Sequence, residues 1–272
     1  MSGRLVVCPT PIGNLEDVTL RVLSALREAD VVACEDTRRA RILLDRYGVK
    51  AKLVSYHEHN ERARASELVG RMRDGAVVAL VSDAGMPLVS DPGYVLVQAC
   101  VAAGLPVEVL PGPSAAITAL VASGLPADEW RFQGFLPRKK GEQRRVLSEP
   151  GGTLVAFESP RRVPGTLALL AELDPEREVA VCRELTKAHE EIVRGSAAEL
   201  AERYASTPPK GEVVLVIGAP AEPEAGAGEP AAVDALRRLV DAGAHPRKAA
   251  GVVAELTGSS ANALYRALTS GD

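Results

Sequence analysis

Aromatic residues are scarce: Phe, Trp and Tyr make up 3% of the 272 residues. The cores must therefore be built from Leu, Val, Ile and Ala. No apolar run approaches the roughly eighteen residues of a membrane helix, so no membrane span is expected. The N-terminus lacks the long apolar segment and small-residue cleavage site of a signal peptide. The four cysteines, Cys8, Cys34, Cys100 and Cys182, are far apart and form no CxxC. They read as reduced core residues of a cytoplasmic protein rather than as a disulfide framework. The first loop, TPIGN, is neither GxGxxG nor GxxxxGK[ST], which disfavours a Rossmann dinucleotide site and a P-loop. His57-Glu58-His59 has the wrong spacing for HExxH and no third ligand at helix spacing, so no metal is read from it. No Ser–His–Asp pattern or sulfur nucleophile stands out, and covalent catalysis is not indicated.

What the chain does have is alternation. Short apolar runs at residues 5–8, 31–34, 53–56, 77–81 and 107–110 are separated by helical patterns at 17–29, 39–47, up to 72, and 93–103. This predicts a mainly parallel α/β layer over residues 1–112. Asp17 and Asp91 are the expected N-caps of their helices, and Asp36 or Thr37 of another. Pro111-Gly112-Pro113-Ser114 reads as a hinge. Beyond it, residues 113–219 hold a helix at 114–122, a basic helix at 139–147, another at 164–173, and strands at 131–135, 153–157, 178–183, 190–194 and 212–217. Several of those strands have little helix between them, which predicts a mixed sheet. Residues 220–230 are low in complexity and read as a flexible linker. Residues 231–272 hold three short helices, the last two spaced like a helix-turn-helix.

The chemistry gathers where strands end. Pro9–Asn14, Ser82–Pro87 and Pro111–Ser114 follow expected parallel strands, so all three turns can face one small-molecule crevice. Glu35-Asp36-Thr37-Arg38 sits on the same edge, where a carboxylate could accept a proton or simply cap a helix. Histidine is the side chain type that ordinarily changes charge near neutral pH, so His57 could serve as a base. Arg138-Lys139-Lys140 and Arg144-Arg145 form a basic stretch in which positions 140 and 144 share a helix face. It reads either as a solvated surface or as a clamp on phosphates. Formal net charge is −4, so any nucleic-acid contact must be local.

Taken together, the segments LVVCPTPIGNLEDVTLRVLSAL, ACEDTRRARILL, SYHEHNE, LVSDAGMPLVSDPG, VLPGPSAAITAL, FQGFLPRK, AFESPRR and CRELTKAHEEIVRG resemble the tetrapyrrole-methylase (class III) methyltransferases from residue 4 to about 218. EDTR, HEHNE and RELTK resemble the branch that methylates a cytidine 2′-hydroxyl in the decoding region of 16S ribosomal RNA. The resemblance implies two α/β domains with a ligand cleft between them, a small C-terminal helical domain and, in most members, a homodimer. It implies S-adenosyl-L-methionine, with no metal. The cofactor is expected at Pro11, Ile12, Gly13, Asp83, Ala84, Gly85, Met86, Pro87, Ser114, Ala115, Phe157, Gly211 and Glu212. The expected substrate is 16S ribosomal RNA within the 30S subunit. Arg38, Arg39, Lys139, Lys140, Arg144, Arg145, Arg161 and Arg162 are the candidate RNA contacts. Glu35, Asp36 and His57 are the candidate proton acceptors, with Lys187 as an orienting group. The sequence departs from the family at Met86, where threonine is usual, and at Arg161, where histidine is usual; the latter favours phosphate contact. A small-molecule methylase and a non-catalytic nucleic-acid-binding regulator remain open alternatives.

Overall fold

The first 110 residues fold because short apolar strands alternate with amphipathic helices on both sides. The computed structural model describes residues 3–220 and 230–269. Most of the linker expected at 220–230 lies outside these residues. The first sheet contains β1 (Arg4–Val7), β2 (Val31–Cys34), β3 (Leu53–Ser55), β4 (Val77–Val81) and β5 (Val107–Val109) in the order β3-β2-β4-β1-β5. Every pairing in it is parallel. Side chains alternate across the sheet. Leu5, Val7, Ala33, Val78 and Leu80 face α3 (Glu61–Arg73) and α4 (Tyr94–Ala102), while Val6, Val32, Ala79 and Val81 face α1 (Leu20–Glu28) and α2 (Thr37–Arg46).

Two expected caps are corrected. Asp17 closes a short 3₁₀ turn, and α1 begins three residues later with Thr19 as its cap, whose Oγ1 accepts from Val22 N–H at 3.2 Å. Gly93 rather than Asp91 precedes α4. Its φ of 142° suits only glycine, and a Cβ there would lie 2.7 Å from Leu88 Cδ1. That places the cap of α4 two residues beyond Asp91 and leaves the Asp91 side chain out of the capping role.

The chain then passes through α5 (Ala115–Ser123), capped by Ser114, into a second sheet. This sheet holds β6 (Trp130–Phe135), β7 (Thr153–Glu158), β8 (Glu178–Arg183), β9 (Glu191–Ser196) and β10 (Val213–Ile217) in the order β6-β7-β10-β8-β9. β6 and β7 are parallel, and the remaining pairings are antiparallel. Its outer face packs on α6 (Lys140–Ser148), α7 (Val163–Leu173) and α8 (Ala197–Tyr204). Its inner face, with Val155, Ala180, Cys182, Val214 and Val216, packs on α5 and receives Ile12 from the loop after β1. All four cysteines are buried and free, and burial pushes each thiol up to about 11 or 12. They pack as small apolar residues.

Residues 1–219 and 220–272 form separate compact units. The second contains α9 (Pro230–Asp241), α10 (Pro246–Thr257) and α11 (Ala261–Thr269) around Leu236, Ala250, Val253 and Leu264. Gly258, in the left-handed region, ends α10 and sets the short turn into α11. No helix among the described residues is long and apolar enough to cross a membrane.

Candidate active site between the two sheets

Because β1, β4 and β5 are parallel, their carboxyl ends open on one side. Their loops join there. Thr10 and Gly85 exchange backbone hydrogen bonds at 2.8 and 2.9 Å, and Thr10 Oγ1 donates to the Ser82 carbonyl at 3.1 Å. Facing them are the end of β7, the loop after β8 and the entry to β10. Between the two sets lies a cavity of about 400 Å³, lined by Ile12, Ala84, Val89, Ser90, Asp91, Ser114 and Ala115 on one side. Phe135, Phe157, Glu158, Ser159, Pro160, Cys182, Leu185 and residues 211–214 line the other. A neighbouring hollow of about 280 Å³ shares Ile12, Ala84 and Glu212 and adds Pro11, Gly13, Arg39, Asp83 and Lys187.

The two sides touch closely at Gly13. A Cβ at this position would lie 2.5 Å from Lys187 Cγ and 2.9 Å from the Leu185 carbonyl. The next residue, Asn14, donates its N–H to Thr186 Oγ1 at 3.0 Å. Among the described residues, the non-glycine positions with positive φ are Leu88, Ser90, Glu184 and Thr186, at 73°, 64°, 50° and 66°. All lie in two loops on opposite sides of the cavity. Each such conformation costs on the order of 1–3 kcal/mol, which surrounding contacts must offset, and such positions cluster at functional sites.

Charge is divided unequally. Glu35, Asp83 and Asp91 interact near the ends of β2 and β4. Burial pushes Asp91 up to about 6, with repulsion from Glu35 and Asp83 acting the same way against a hydrogen bond from Ser82. Glu35 is also raised, first by burial and then by Asp83, with Arg39 and His57 opposing. Arg39 Nε lies 3.4 Å from Asp83 Oδ2. Across the cleft, Lys187 Nζ reaches Glu184 Oε1 at 2.9 Å and Glu212 Oε2 at 2.8 Å. Burial pulls Lys187 down, but those two carboxylates hold it above its ordinary value.

The residues expected from sequence divide accordingly. Ile12, Ala84, Ser114, Ala115, Phe157, Gly211 and Glu212 line the larger cavity, while Pro11, Gly13, Asp83 and Lys187 line the smaller hollow. Gly85, Met86 and Pro87 line neither: Gly85 pairs with Thr10, and Met86 packs on the first-sheet core. Asp36 caps α2, accepting from Arg38 N–H at 2.8 Å, and its hydrogen bonds from Arg38 hold it at about 2. Its carboxylate is taken up by the start of α2 and by Arg38, and it lines neither hollow. Arg38 is the partner that holds it, at 2.7 Å. His57 Nε2 lies 3.3 Å from Asn60 Nδ2, and its buried Nδ1 has no hydrogen-bond partner among the described residues; neither hollow includes it.

Lys140 and Arg144 do share a face of α6, and both pair with Glu172, at 3.6 and 2.9 Å; Lys139 pairs with Glu142 at 3.2 Å. Arg145 and Arg161 are exposed. Arg162 is taken up internally instead of being offered to a phosphate. Its guanidinium donates to the Leu136 carbonyl at 3.1 Å and the Pro137 carbonyl at 2.5 Å, and lies 3.4 Å from buried Glu158.

Sequence reasoning missed Asp91 because SDPG read as a helix start. The signal that could have corrected it is Gly93, the residue in that turn able to take the strained entry to α4. Cys182, Leu185 and Val214 were missed because they look like ordinary core residues; only the second sheet's position turns them toward the cavity.

Residues 4–201 match the family described as tetrapyrrole (corrin/porphyrin) methylases, and residues 227–271 match the RsmI C-terminal HTH domain. A Mesorhizobium japonicum protein named ribosomal RNA small subunit methyltransferase I is 48% identical, the match covering 97% of this chain and 90% of that protein. A Thermotoga maritima protein of the same name is 44% identical over 79% of this chain and 98% of its own length. A Thermus thermophilus uroporphyrin-III C-methyltransferase, solved in complex with S-adenyl homocysteine, shares the fold with a TM-score of 0.56 at 23% identity, covering 79% of this chain and 97% of that one. The chain belongs to the tetrapyrrole methylase family, in the group of the ribosomal RNA small subunit methyltransferase I proteins.

Proposed function

We propose that the protein transfers a methyl group from S-adenosyl-L-methionine to the 2′-hydroxyl of a cytidine in the decoding region of 16S ribosomal RNA, acting on the 30S subunit. The observation that carries this reading is the inter-sheet cavity in a chain so similar, over nearly its whole length, to small-subunit ribosomal RNA methyltransferases. The cavity fits the donor: about 400 Å³ falls within the range of small-molecule sites. Ile12, Ala84 and Ala115 would hold it on one side, with Phe157, Leu185 and Val214 on the other. Asp91 on the cavity wall, with Asp83 in the adjoining hollow and Glu35 behind them, suits a cationic ligand.

When bound, the donor supplies an electrophilic methyl group on a sulfonium. The chain's own contribution begins with position. The Thr10–Gly85 pairing ties together the loops of the first wall, and the Gly13 contact with the loop after β8 holds that wall against the second. Such preorganisation turns an encounter of two substrates into an effectively intramolecular event. The apolar wall excludes water, and the acidic wall can take the proton of an incoming hydroxyl. The buried Glu158 and Thr166 and the half-buried Arg162 fasten the chain after β6, with Thr166 Oγ1 donating to Glu158 at 2.8 Å. Exposed Arg161, next to the cavity-lining Pro160, would meet phosphate there, and exposed Arg145 on α6 would meet it farther out; salt weakens both contacts. A homodimer in the cytoplasm, where ribosomal subunits assemble, completes the reading.

The test is a labelled methyl-transfer assay with small subunits, naked RNA and intact ribosomes, followed by mapping of the modified nucleotide. Label on a cytidine ribose supports the reading. Label on a base, or on a tetrapyrrole but no RNA, contradicts it.

A further inference from the structure

We propose that Asp91 is the catalytic group that accepts the proton of the ribose 2′-hydroxyl; this rests on the transfer reaction proposed above. Among Glu35, Asp36, Asp83 and Asp91, Asp91 is the carboxylate that lines the larger cavity, whereas Asp83 lines the smaller hollow and Glu35 and Asp36 line neither. Its position is built rather than incidental. Ser90 immediately before it holds a φ of 64°, and Leu88 holds 73°. Gly93 after it accommodates the Leu88 side chain in the space a Cβ would take. These constraints withdraw Asp91 from capping α4 and leave it on the cavity wall.

Its surroundings suit a base working near neutral pH. Burial, then Glu35 and then Asp83 raise Asp91 to about 6, while a hydrogen bond from Ser82 opposes them. Arg39 is engaged with Asp83 at 3.4 Å and so relieves that pair only in part. The other carboxylates on the cavity are already held: Glu158 by Thr166 and Arg162, and Glu212 by Lys187 at 2.8 Å. A general base is most effective when its pKa lies near the working pH. Glu35 then acts as a positioning charge that keeps Asp91 basic without touching substrate.

The step balances. The ribose O–H bond breaks and its proton passes to an Asp91 carboxylate oxygen. The electron pair left on oxygen forms the O–CH₃ bond. The pair of the breaking S–CH₃ bond returns to sulfur, so the cationic donor leaves as a neutral thioether. Asp91 then releases the proton to water.

The experiment compares wild type, Asp91→Asn, Asp91→Glu and Glu35→Gln. Single-turnover transfer to small subunits is followed against pH, S-adenosylhomocysteine affinity by calorimetry, and the Asp91 carboxyl titration by carbon-13 NMR of the ligand-free protein. The expected result for Asp91→Asn is a loss of about 10²–10⁴-fold in transfer with affinity for the thioether product within about threefold. Asp91→Glu should recover part of the rate. The wild-type carboxyl should titrate near 6. Glu35→Gln should move both that midpoint and the acid limb of the rate profile to lower pH. Transfer by Asp91→Asn within threefold of wild type, a parallel collapse of product affinity, or a midpoint near 4 overturns the assignment. Wild-type protein that binds the product yet labels no RNA overturns the proposed reaction and this inference with it; an active Asp91→Asn enzyme overturns the inference alone.

Discussion

The two walls of the cleft are made from different materials. The first sheet contributes the carboxylates Asp91 and Asp83, backed by Glu35, and their mutual repulsion is only partly relieved by Arg39 and His57. The second contributes apolar surface from Phe157, Leu185 and Val214, and its cation, Lys187, is committed to Glu184 and Glu212. The difference follows from topology. In the parallel sheet, strand ends converge on one edge and bring their polar loops together. In the mixed sheet, strands run both ways, and side chains from the sheet face and neighbouring loops form the wall. One wall is therefore suited to proton chemistry and the other to gripping an apolar ring.

The sharpest way to break that comparison is to neutralise the acidic wall. Asp91→Asn is expected to lose transfer by about 10²–10⁴-fold while raising the melting temperature. The sign follows from linkage. A carboxyl whose folded pKa is raised binds its proton more tightly when folded, so its ionisation opposes folding. Wild-type stability should thus grow as pH falls from about 6 toward 3.8, whereas Asp91→Asn should be flatter through that window. After allowing for solvent screening of a half-exposed group, the gain at neutral pH is on the order of 1 kcal/mol. Thermal denaturation against pH checks it, and a destabilised variant that keeps the wild-type pH slope would contradict it.

Next in size is the contact between walls. Gly13→Val must displace Lys187 or the loop after β8. Overpacking of this kind costs roughly 1–3 kcal/mol. Calorimetry should show donor affinity reduced at least about tenfold if the walls act together; unchanged affinity would show that they bind independently.

Smaller again is Lys187→Ala, which leaves Glu184 and Glu212 without their cation. A loss on the order of 1 kcal/mol is expected near neutrality. Glu184 is held below 4.5, first by a hydrogen bond from the Glu212 backbone and then by Lys187. A lowered carboxyl contributes stability above its unfolded pKa and loses it as pH falls through the folded value. The difference between variant and wild type should therefore narrow below about pH 4.5 in acid denaturation curves. A constant difference would contradict the coupling.

The smallest expected effect concerns the C-terminal unit. Residues 1–219 form a compact unit, and the Thermotoga maritima relative is matched over 98% of its length by 79% of this chain. Protein truncated after Ala219 should fold and bind S-adenosylmethionine within about threefold of the full chain, a change below roughly 0.7 kcal/mol. Loss of donor binding on truncation would show the cleft to be incomplete without the helices.

Much of this was legible in the sequence, and the limits have physical causes. The parallel sheet announced itself through the alternation of apolar runs and helices, and the mixed sheet through strands at 178–183 and 190–194 with little between them. The loops after β1 and β4 could be assigned to one edge because parallel strands require it. Arg162 was misleading because a basic residue beside Arg161 reads as surface charge, while its true partners are backbone carbonyls far along the chain. Asp91 was hidden because local turn chemistry prefers Asp before a helix, and the close approach of Leu88 to Gly93 within the same loop overrides that preference.

The central claim, that the inter-sheet cavity is the donor site, is tested most directly by calorimetric titration of S-adenosylmethionine into wild type and Ala115→Trp, whose indole would fill the cavity that Ala115 lines. One-site binding by wild type in the micromolar range usual for enzyme substrates, lost in the variant while its fold persists by circular dichroism, is the predicted result. No uptake by well-folded wild type, or equal affinity in the filled variant, would contradict it.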